Sequence, residues 1–383
     1  MKPKLRFKEF SDEWCETTLG ETTTFKQGIQ VDVDKQFSKP FDNSVRFIRI
    51  VDYTQNTKDI RYISKPANAN YVDEHDVVLV RYGATAGFVG HGIKGVIANN
   101  MFTVTPNSNI NKDFLYTILK QDKIYNKLNS SNGSSAMPAL NFGSVSILKF
   151  SYPSIDEQNK LTNLINLLDK KIELQSKKIE DLKLFKMSTL DKYFNKDTCK
   201  EKALLKKYCS CLTGKSKADK VDINGNYYIM DMGTVNSDGN ILKTKPTFCN
   251  LDLLSYGDLV MPKDDIGGGL IIGKTGFIDE DNKYVLGDHV YLLKVNDINS
   301  LFLHYQINSK YINKQLKRKV TGSAQLGLKS DNILNQEIYI YSEEEQKKIA
   351  NIFKLIDRKI ELEIEKIFKL INLKKGLMQN MFV

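Results

Sequence analysis

The chain has 383 residues, 41% of them hydrophobic and 10% aromatic, which excludes a globally disordered polymer and is ample for buried cores. Its 56 Lys and Arg against 46 Asp and Glu leave a formal charge of +10, pointing to an acidic partner, nucleic acid first, because basic side chains gain affinity by releasing phosphate counterions. Five irregularly spaced cysteines (Cys15, Cys199, Cys209, Cys211, Cys249) speak against a disulfide framework and a cysteine zinc site, and no signal-like or membrane-length apolar run occurs, so a soluble cytoplasmic protein with no metal is expected.

Residues 1–152 read as a first, mostly β domain. Strand-like runs at 45–53, 76–83, 95–106 and 145–153 are separated by Gly, Asn and Asp turn signals, and one helix is predicted over 112–128. Its loops combine a cation with an amide or an aromatic ring, and a glycine for close backbone approach. They are Phe25-Lys26-Gln27-Gly28 and Arg81-Tyr82-Gly83-Ala84-Thr85. A small, polar stretch at 132–140 adds Ser134, Ser135 and Met137. Asp76, just before a hydrophobic strand, reads as a turn cap rather than a base, as does Asp258 in the second half.

Residues 153–196 read as one long helix. Ser154 with Glu157 fits a capping box, and Leu161, Ile165, Leu168, Ile172 and Ile179 step by three, four and seven, a narrow apolar seam.

Residues 197–341 repeat the order of the first domain, with strands at 226–233, 257–263, 286–295 and 335–342 and a helix over 300–316. Candidate basic and polar loop residues here are Lys215, Lys217, Lys263, Lys274, Arg318, Ser323, Gln325 and Lys329. Gly268-Gly269-Leu270-Ile271-Ile272-Gly273-Lys274-Thr275 matches the phosphate-binding pattern GxxxxGK[ST]. Such a loop must open a helix, whereas a turn between strands is predicted after Thr275, so Lys274 is read as a basic loop residue. The four histidines are scattered in sequence, and neither a GxSxG elbow nor GxGxxG after a strand occurs. No catalytic constellation is expected.

Residues 342–383 form a second long helix, with Ser342 and Glu345 as its capping box and Ile349, Phe353, Ile356, Ile360 and Ile367 as its seam. It repeats the first: EQNKLTNLINLLDKKIEL at 157–174 returns as EQKKIANIFKLIDRKIEL at 345–362, with ten of eighteen positions identical. An offset of about 188 residues lies far outside solenoid periods and marks duplication of a whole domain unit. Each helix of about 38 residues would be roughly 57 Å long, which is about seventeen base pairs of duplex. Neither can bury its stripe alone. The fold expected is therefore α+β: two similar mostly-β recognition domains separated by two long helices paired as an antiparallel coiled coil.

These features together resemble a specificity (S) subunit of a type I restriction-modification system. The opening Pro3-Lys4-Leu5-Arg6-Phe7, Trp14 and Leu19-Gly20 are similar to that family's start, and Asp76–Gly83 is similar to its strand-arginine-glycine segment. The helix signature occurs twice, at Glu157-Gln158 with Leu167-Leu168-Asp169 and at Glu345-Gln346 with Leu355-Ile356-Asp357. The second half departs from the pattern at Asp258–Lys263, where no arginine follows the strand. The resemblance implies a non-catalytic subunit whose two domains each read one half of a split, asymmetric site on double-stranded DNA. It also implies helices that set the gap and dock two methyltransferase subunits, with restriction/translocase subunits joining them. S-adenosylmethionine, ATP and Mg²⁺ would then be bound by those partners and no cofactor by this chain. A stand-alone coiled-coil DNA-binding regulator is the competing reading.

Overall fold

The computed structural model describes residues 2–55, 57–130, 139–197, 200–322 and 326–383, and the chain divides into two compact units. The first comprises Met1–Leu174 with Ile367–Val383, and the second comprises Gln175–Lys366.

In the first unit an antiparallel sheet is ordered Thr23–Gln27, Met101–Pro106, Val77–Val80, Val89–Gly90. A second sheet runs Arg61–Ser64, Ser44–Ile48, Gly95–Ile97, Tyr71–Val72, with its central pair parallel. Val77 and Leu79 face a core containing Trp14, Phe102 and Phe114, whereas Val78 and Val80 face Phe47, Ile48 and Met101. The strand is thus buried on both faces, which explains its unbroken apolar run. The second unit repeats the plan: Cys209–Thr213, Val290–Val295, Leu259–Pro262, Gly276–Phe277 in one sheet, and Tyr227–Met230 parallel to Tyr284–Leu286 in another.

Several predicted elements differ locally. The run at 45–53 is a strand only to Ile48 and then turns into the helix Ile50–Thr54, where Asp52 accepts the Arg49 backbone N–H at 2.8 Å. The helix predicted over 112–128 is two, Lys112–Leu119 and Asp122–Ser130. The one over 300–316 is also two, Ser300–Asn308 and Lys310–Lys317, broken where Ser309 is extended (φ −60°, ψ 150°). Tertiary demand outweighs propensity there: the Asn308 side chain is held by both backbone polar groups of Thr275.

The long helices are Ile155–Tyr193 and Glu343–Met381. Ser342 and Glu345 form the expected capping box, at 3.0 and 3.3 Å. At the first helix Glu157 instead directs both carboxylate oxygens to the Arg6 guanidinium, at 2.8 and 2.7 Å. The repeated glutamine has a physical role. Buried Gln158 accepts the Asn111 N–H at 2.9 Å and donates to the carbonyls of Asn109 and Pro153; Gln346 accepts the Asn299 N–H at 2.8 Å and donates to Tyr341. Asn111 and Asn299 cap the helices Lys112–Leu119 and Ser300–Asn308. In each unit the glutamine therefore clamps the start of a long helix to the cap of a domain helix, so the geometry of that joint is set by satisfied buried polar groups.

Within each unit the two long helices run antiparallel. In the first, Leu161 and Ile165 share a core with Met381 and Phe382, and Asp169 pairs with Lys374 at 2.5 Å. In the second, Lys178 pairs with Glu363 at 3.0 Å and Lys186 with Asp357 at 2.5 Å, while Leu190 and Phe194 pack with Ile349 and Phe353. Leu168 and Ile360 are buried; Ile172, Ile179, Ile356 and Ile367 are half-buried. The seam is thus driest where the helices meet a domain, and more open between.

Buried Glu363 is met by Gln175, its counterpart in the repeat, and by Lys178, Lys359 and Lys366. The Lys178 and Gln175 hydrogen bonds push its carboxyl down to about 2, from an ordinary 4.5. A carboxyl with a lowered folded pKa stabilises the fold above its unfolded value and loses that contribution as pH falls through the folded one. Helical circular dichroism is therefore expected to become less resistant to urea between about pH 4.5 and pH 2. Glu363→Gln, which cannot titrate, should flatten that dependence; an unchanged slope would remove Glu363 from the explanation.

Candidate nucleic-acid interface

Arg81 follows the buried strand Val77–Val80, its N–H bonded to the Asn100 carbonyl (2.8 Å) and its carbonyl accepting the Leu140 N–H (2.9 Å). Its guanidinium donates to Gln27 Oε1 at 2.9 Å and to the Leu140 carbonyl at 3.2 Å, and lies 4.9 Å from the Tyr82 ring centroid and 5.4 Å from that of Phe142. Gln27 ends the outer strand Thr23–Gln27, separated from Val77–Val80 by Met101–Pro106, and also donates to the Asn99 carbonyl at 2.8 Å. A Cβ on Gly28 would sit 2.2 Å from the Ala98 carbonyl oxygen, so only glycine lets that strand cross here. One sheet end thus gathers Gln27, Arg81 and exposed Tyr82 into a cation–amide–aromatic group on fixed backbone. Thr85 lies in the following turn, accepting the Phe88 N–H at 3.0 Å, and exposed Lys26 donates to the Ala69 carbonyl at 2.9 Å. Ser134, Ser135 and Met137 lie outside the described residues, as do Ser323 and Gln325.

The second unit has the same plan with other side chains. Lys263 follows the strand Leu259–Pro262, its N–H bonded to the His289 carbonyl and its carbonyl to the Leu328 N–H, both at 2.9 Å. This is the backbone environment of Arg81, so Lys263 stands at the arginine's place in the fold. Its ammonium donates to the Asp288 carbonyl at 2.8 Å and lies 5.3 Å from the Tyr291 ring. Gly214 corresponds to Gly28: a Cβ there would meet the Gly287 carbonyl at 2.6 Å. Exposed Lys215 follows Gly214, and exposed Lys329 follows Leu328, so both adjoin the Lys263 sheet end. Exposed Arg318 caps the helix Lys310–Lys317.

Two lysines do not fit the expectation of basic surface loops. Lys217 is 3% exposed, and its ammonium donates to the Leu286 carbonyl (2.7 Å) and Asp252 (2.8 Å); it closes a loop from inside. Lys274 donates to the Asn308 carbonyl at 3.0 Å, and burial with Lys317 and Lys186 nearby pushes it down to about 8. The phosphate-loop pattern around it is filled from within. Buried Asp265 accepts the N–H groups of Gly267 (2.6 Å) and Ile271 (2.8 Å), and Thr275 leads into the strand Gly276–Phe277. A carboxylate occupies the amides that a phosphate would need.

Sequence reading missed Phe142 and Tyr291, which flank the two cations, and the His289–Asp264 contact at 3.1 Å. Phe142, Tyr291 and His289 each lie far along the chain from the cation at their sheet end, beyond any local pattern. Asp76 and Asp258 accept the N–H groups of Asp73 (2.7 Å) and Ser255 (2.9 Å), in keeping with turn caps.

Among the described residues, no helix is long and apolar enough to cross a membrane. Residues 11–184 and 209–372 each match the family described as type I restriction modification DNA specificity domain. The chain is similar to the MjaVIII type I restriction enzyme specificity subunit of Methanocaldococcus jannaschii, with 26% identity covering 96% of this chain and 91% of that one. In fold it is similar to the type I restriction-modification S subunit from M. genitalium, with TM-score 0.68, 15% identity, and 100% and 99% of the two chains covered. A structure solved in a study of type I restriction-modification complex assembly gives TM-score 0.59 at 14% identity, covering 96% and 97%. Matched in both halves, with the same sheet plan and the same glutamine clamp in each, the chain belongs to the type I restriction-modification DNA specificity family.

Proposed function

We propose that this chain is the non-catalytic DNA-reading subunit of a cytoplasmic type I restriction-modification enzyme, each unit reading one half of a bipartite, asymmetric site. The observation that carries this reading is the placement of Arg81 and Lys263 at one and the same backbone position, each at a sheet end beside aromatic rings but with different neighbours. A repeated frame with unlike side chains suits two readers of unlike sequences. The long helices set the separation of the readers and dock two methyltransferase subunits, which restriction/translocase subunits then join. S-adenosylmethionine, ATP and Mg²⁺ are bound by those partners. The docking role is supported by exposed leucines recurring at the repeat offset: Leu167 (70% exposed) with Leu355 (62%), and Leu174 (55%) with Leu362 (36%). Duplicated apolar contacts suit two copies of one partner.

In the assembled methyltransferase, Arg81→Ala is expected to weaken discrimination at one half of the methylated motif by about 1–3 kcal/mol, roughly five- to 150-fold, leaving the other half intact. Lys263→Ala should do the reverse. Methylation of duplexes altered in one half at a time reads this directly. Loss at both halves from either single substitution, or at neither from both, would overturn the proposal.

A further inference from the structure

Away from Arg81, three ligand-type atoms converge in the first unit. His75 Nδ1 and His91 Nε2 lie 3.0 and 3.1 Å from one oxygen, Asp113 Oδ1, and the ligand atoms of the three residues all lie within 4.8 Å of one another. We propose that His75, His91 and Asp113 form a site for one divalent transition ion of the zinc type, with its remaining position open to solvent.

The geometry is close to what such an ion needs. Tetrahedral coordination at about 2.0–2.1 Å places ligand atoms roughly 3.3–3.4 Å apart. The two imidazole–carboxylate distances fall a few tenths of an ångström short of that, and the exposed His75 ring is free to swing toward His91. The scaffold is held independently of any ion. Asp73 accepts the His75 N–H at 2.8 Å, and the Gly92 N–H bonds the Glu74 carbonyl at 3.0 Å, tying the two histidine-bearing segments together. His91 stacks on Tyr116 at 4.3 Å, one turn after Asp113 on the helix Lys112–Leu119. The neighbouring carboxylates Asp73 and Asp76 are both engaged by Lys112, at 3.1 and 2.7 Å, which leaves Asp113 as the charged ligand.

Two neutral imidazoles with one carboxylate select zinc, cobalt, nickel or copper over magnesium and calcium, which prefer all-oxygen sets. His75 precedes the strand Val77–Val80 and Arg81 follows it, so the site brackets the opposite end of that strand from the reading group. An ion there would join a turn, a strand end and a helix, stabilising the unit without touching a base. This inference does not depend on the proposed function.

The test is titration of the purified full chain with Co²⁺ and then Zn²⁺ at neutral pH. One saturable equivalent of Co²⁺ with intense tetrahedral visible bands is expected, bleached by Zn²⁺. Zn²⁺ at about a hundredfold excess over its dissociation constant should raise the melting temperature by several degrees. Asp113→Asn and His91→Ala should weaken binding at least about tenfold, since the first removes the site's anionic charge and the second a ligand atom. His75→Ala is the variant least able to disturb folding, because that side chain is exposed, and it should weaken binding similarly. His289→Ala, which alters the separate Asp231, Asp288 and His289 group, should leave the bands unchanged. Absence of a saturable band, or a band indifferent to both His75→Ala and Asp113→Asn, would overturn the proposal.

Discussion

Phe353→Ala is expected to lower the stability of the second unit by about 3–5 kcal/mol. The ring is fully buried, 5.1 Å from Tyr305 and 6.1 Å from Tyr193, in a core that also holds Leu190, Phe194, Phe302 and Ile349. That core joins the end of one long helix, the start of the other and the domain helix Ser300–Asn308. Truncation removes the transfer free energy of the ring and leaves a cavity whose walls, anchored by Tyr305 to Asp357 (2.8 Å) and by Tyr341 to the Tyr193 carbonyl (2.7 Å), cannot readily collapse. Against a total of about 5–15 kcal/mol for a typical domain, the loss is large. The single tryptophan, Trp14, belongs to the first unit's core and so provides a separate signal. In urea, the circular dichroism transition should split, with its early phase absent from Trp14 fluorescence. A midpoint unchanged by circular dichroism would show that the cluster does not carry the joint.

Arg6→Ala should act on the first unit with similar size. The Arg6–Glu157 pair is bidentate and dry, its side chains 13% and 1% exposed, and it holds the first turn of the helix Ile155–Tyr193 to the chain's opening segment. Removing the arginine leaves a carboxylate buried with no counter-charge, which costs about 3–5 kcal/mol. The neighbouring Leu5 N–H bonds the Asn380 carbonyl at 2.9 Å, so the end of the second long helix should loosen as well. Trp14 fluorescence, 6.3 Å from Phe382 and within the affected core, reports the shift. Arg6→Lys keeps the charge but cannot form the fork and should recover only part of the loss. The double variant Arg6→Ala with Glu157→Gln should be less unstable than Arg6→Ala alone. If it is equally unstable, the buried charge is not the cause.

Much of this organisation is legible in the sequence, because the long helices are written in local terms. Their seams recur at helical spacing, their starts carry Ser and Glu, and the repeat itself declares two units. The observed helices begin within a residue or two of the expected positions. Loop readings divide by burial. Gln27, Arg81 and Tyr82 do meet at one sheet end, yet Lys217 and Lys274, equally basic and equally loop-like in sequence, turn inward. Nothing local separates these cases: the carbonyls that capture the two inward lysines, on Leu286 and Asn308, lie 69 and 34 residues away. The departure at Lys263 was likewise undecided by spelling alone and is resolved by its backbone partners, His289 and Leu328.

By itself, the sequence determined that there are two related halves, that each ends in a long amphipathic helix, and that these helices must find an apolar partner. Those conclusions follow from periodicity and duplication, properties of the chain as a string. Tertiary structure alone decided that Lys263 shares the backbone setting of Arg81, which lysines are consumed as internal ties, and that His75, His91 and Asp113 come together. Those outcomes depend on pairing between distant strands and on which polar groups are left to be satisfied once the cores close.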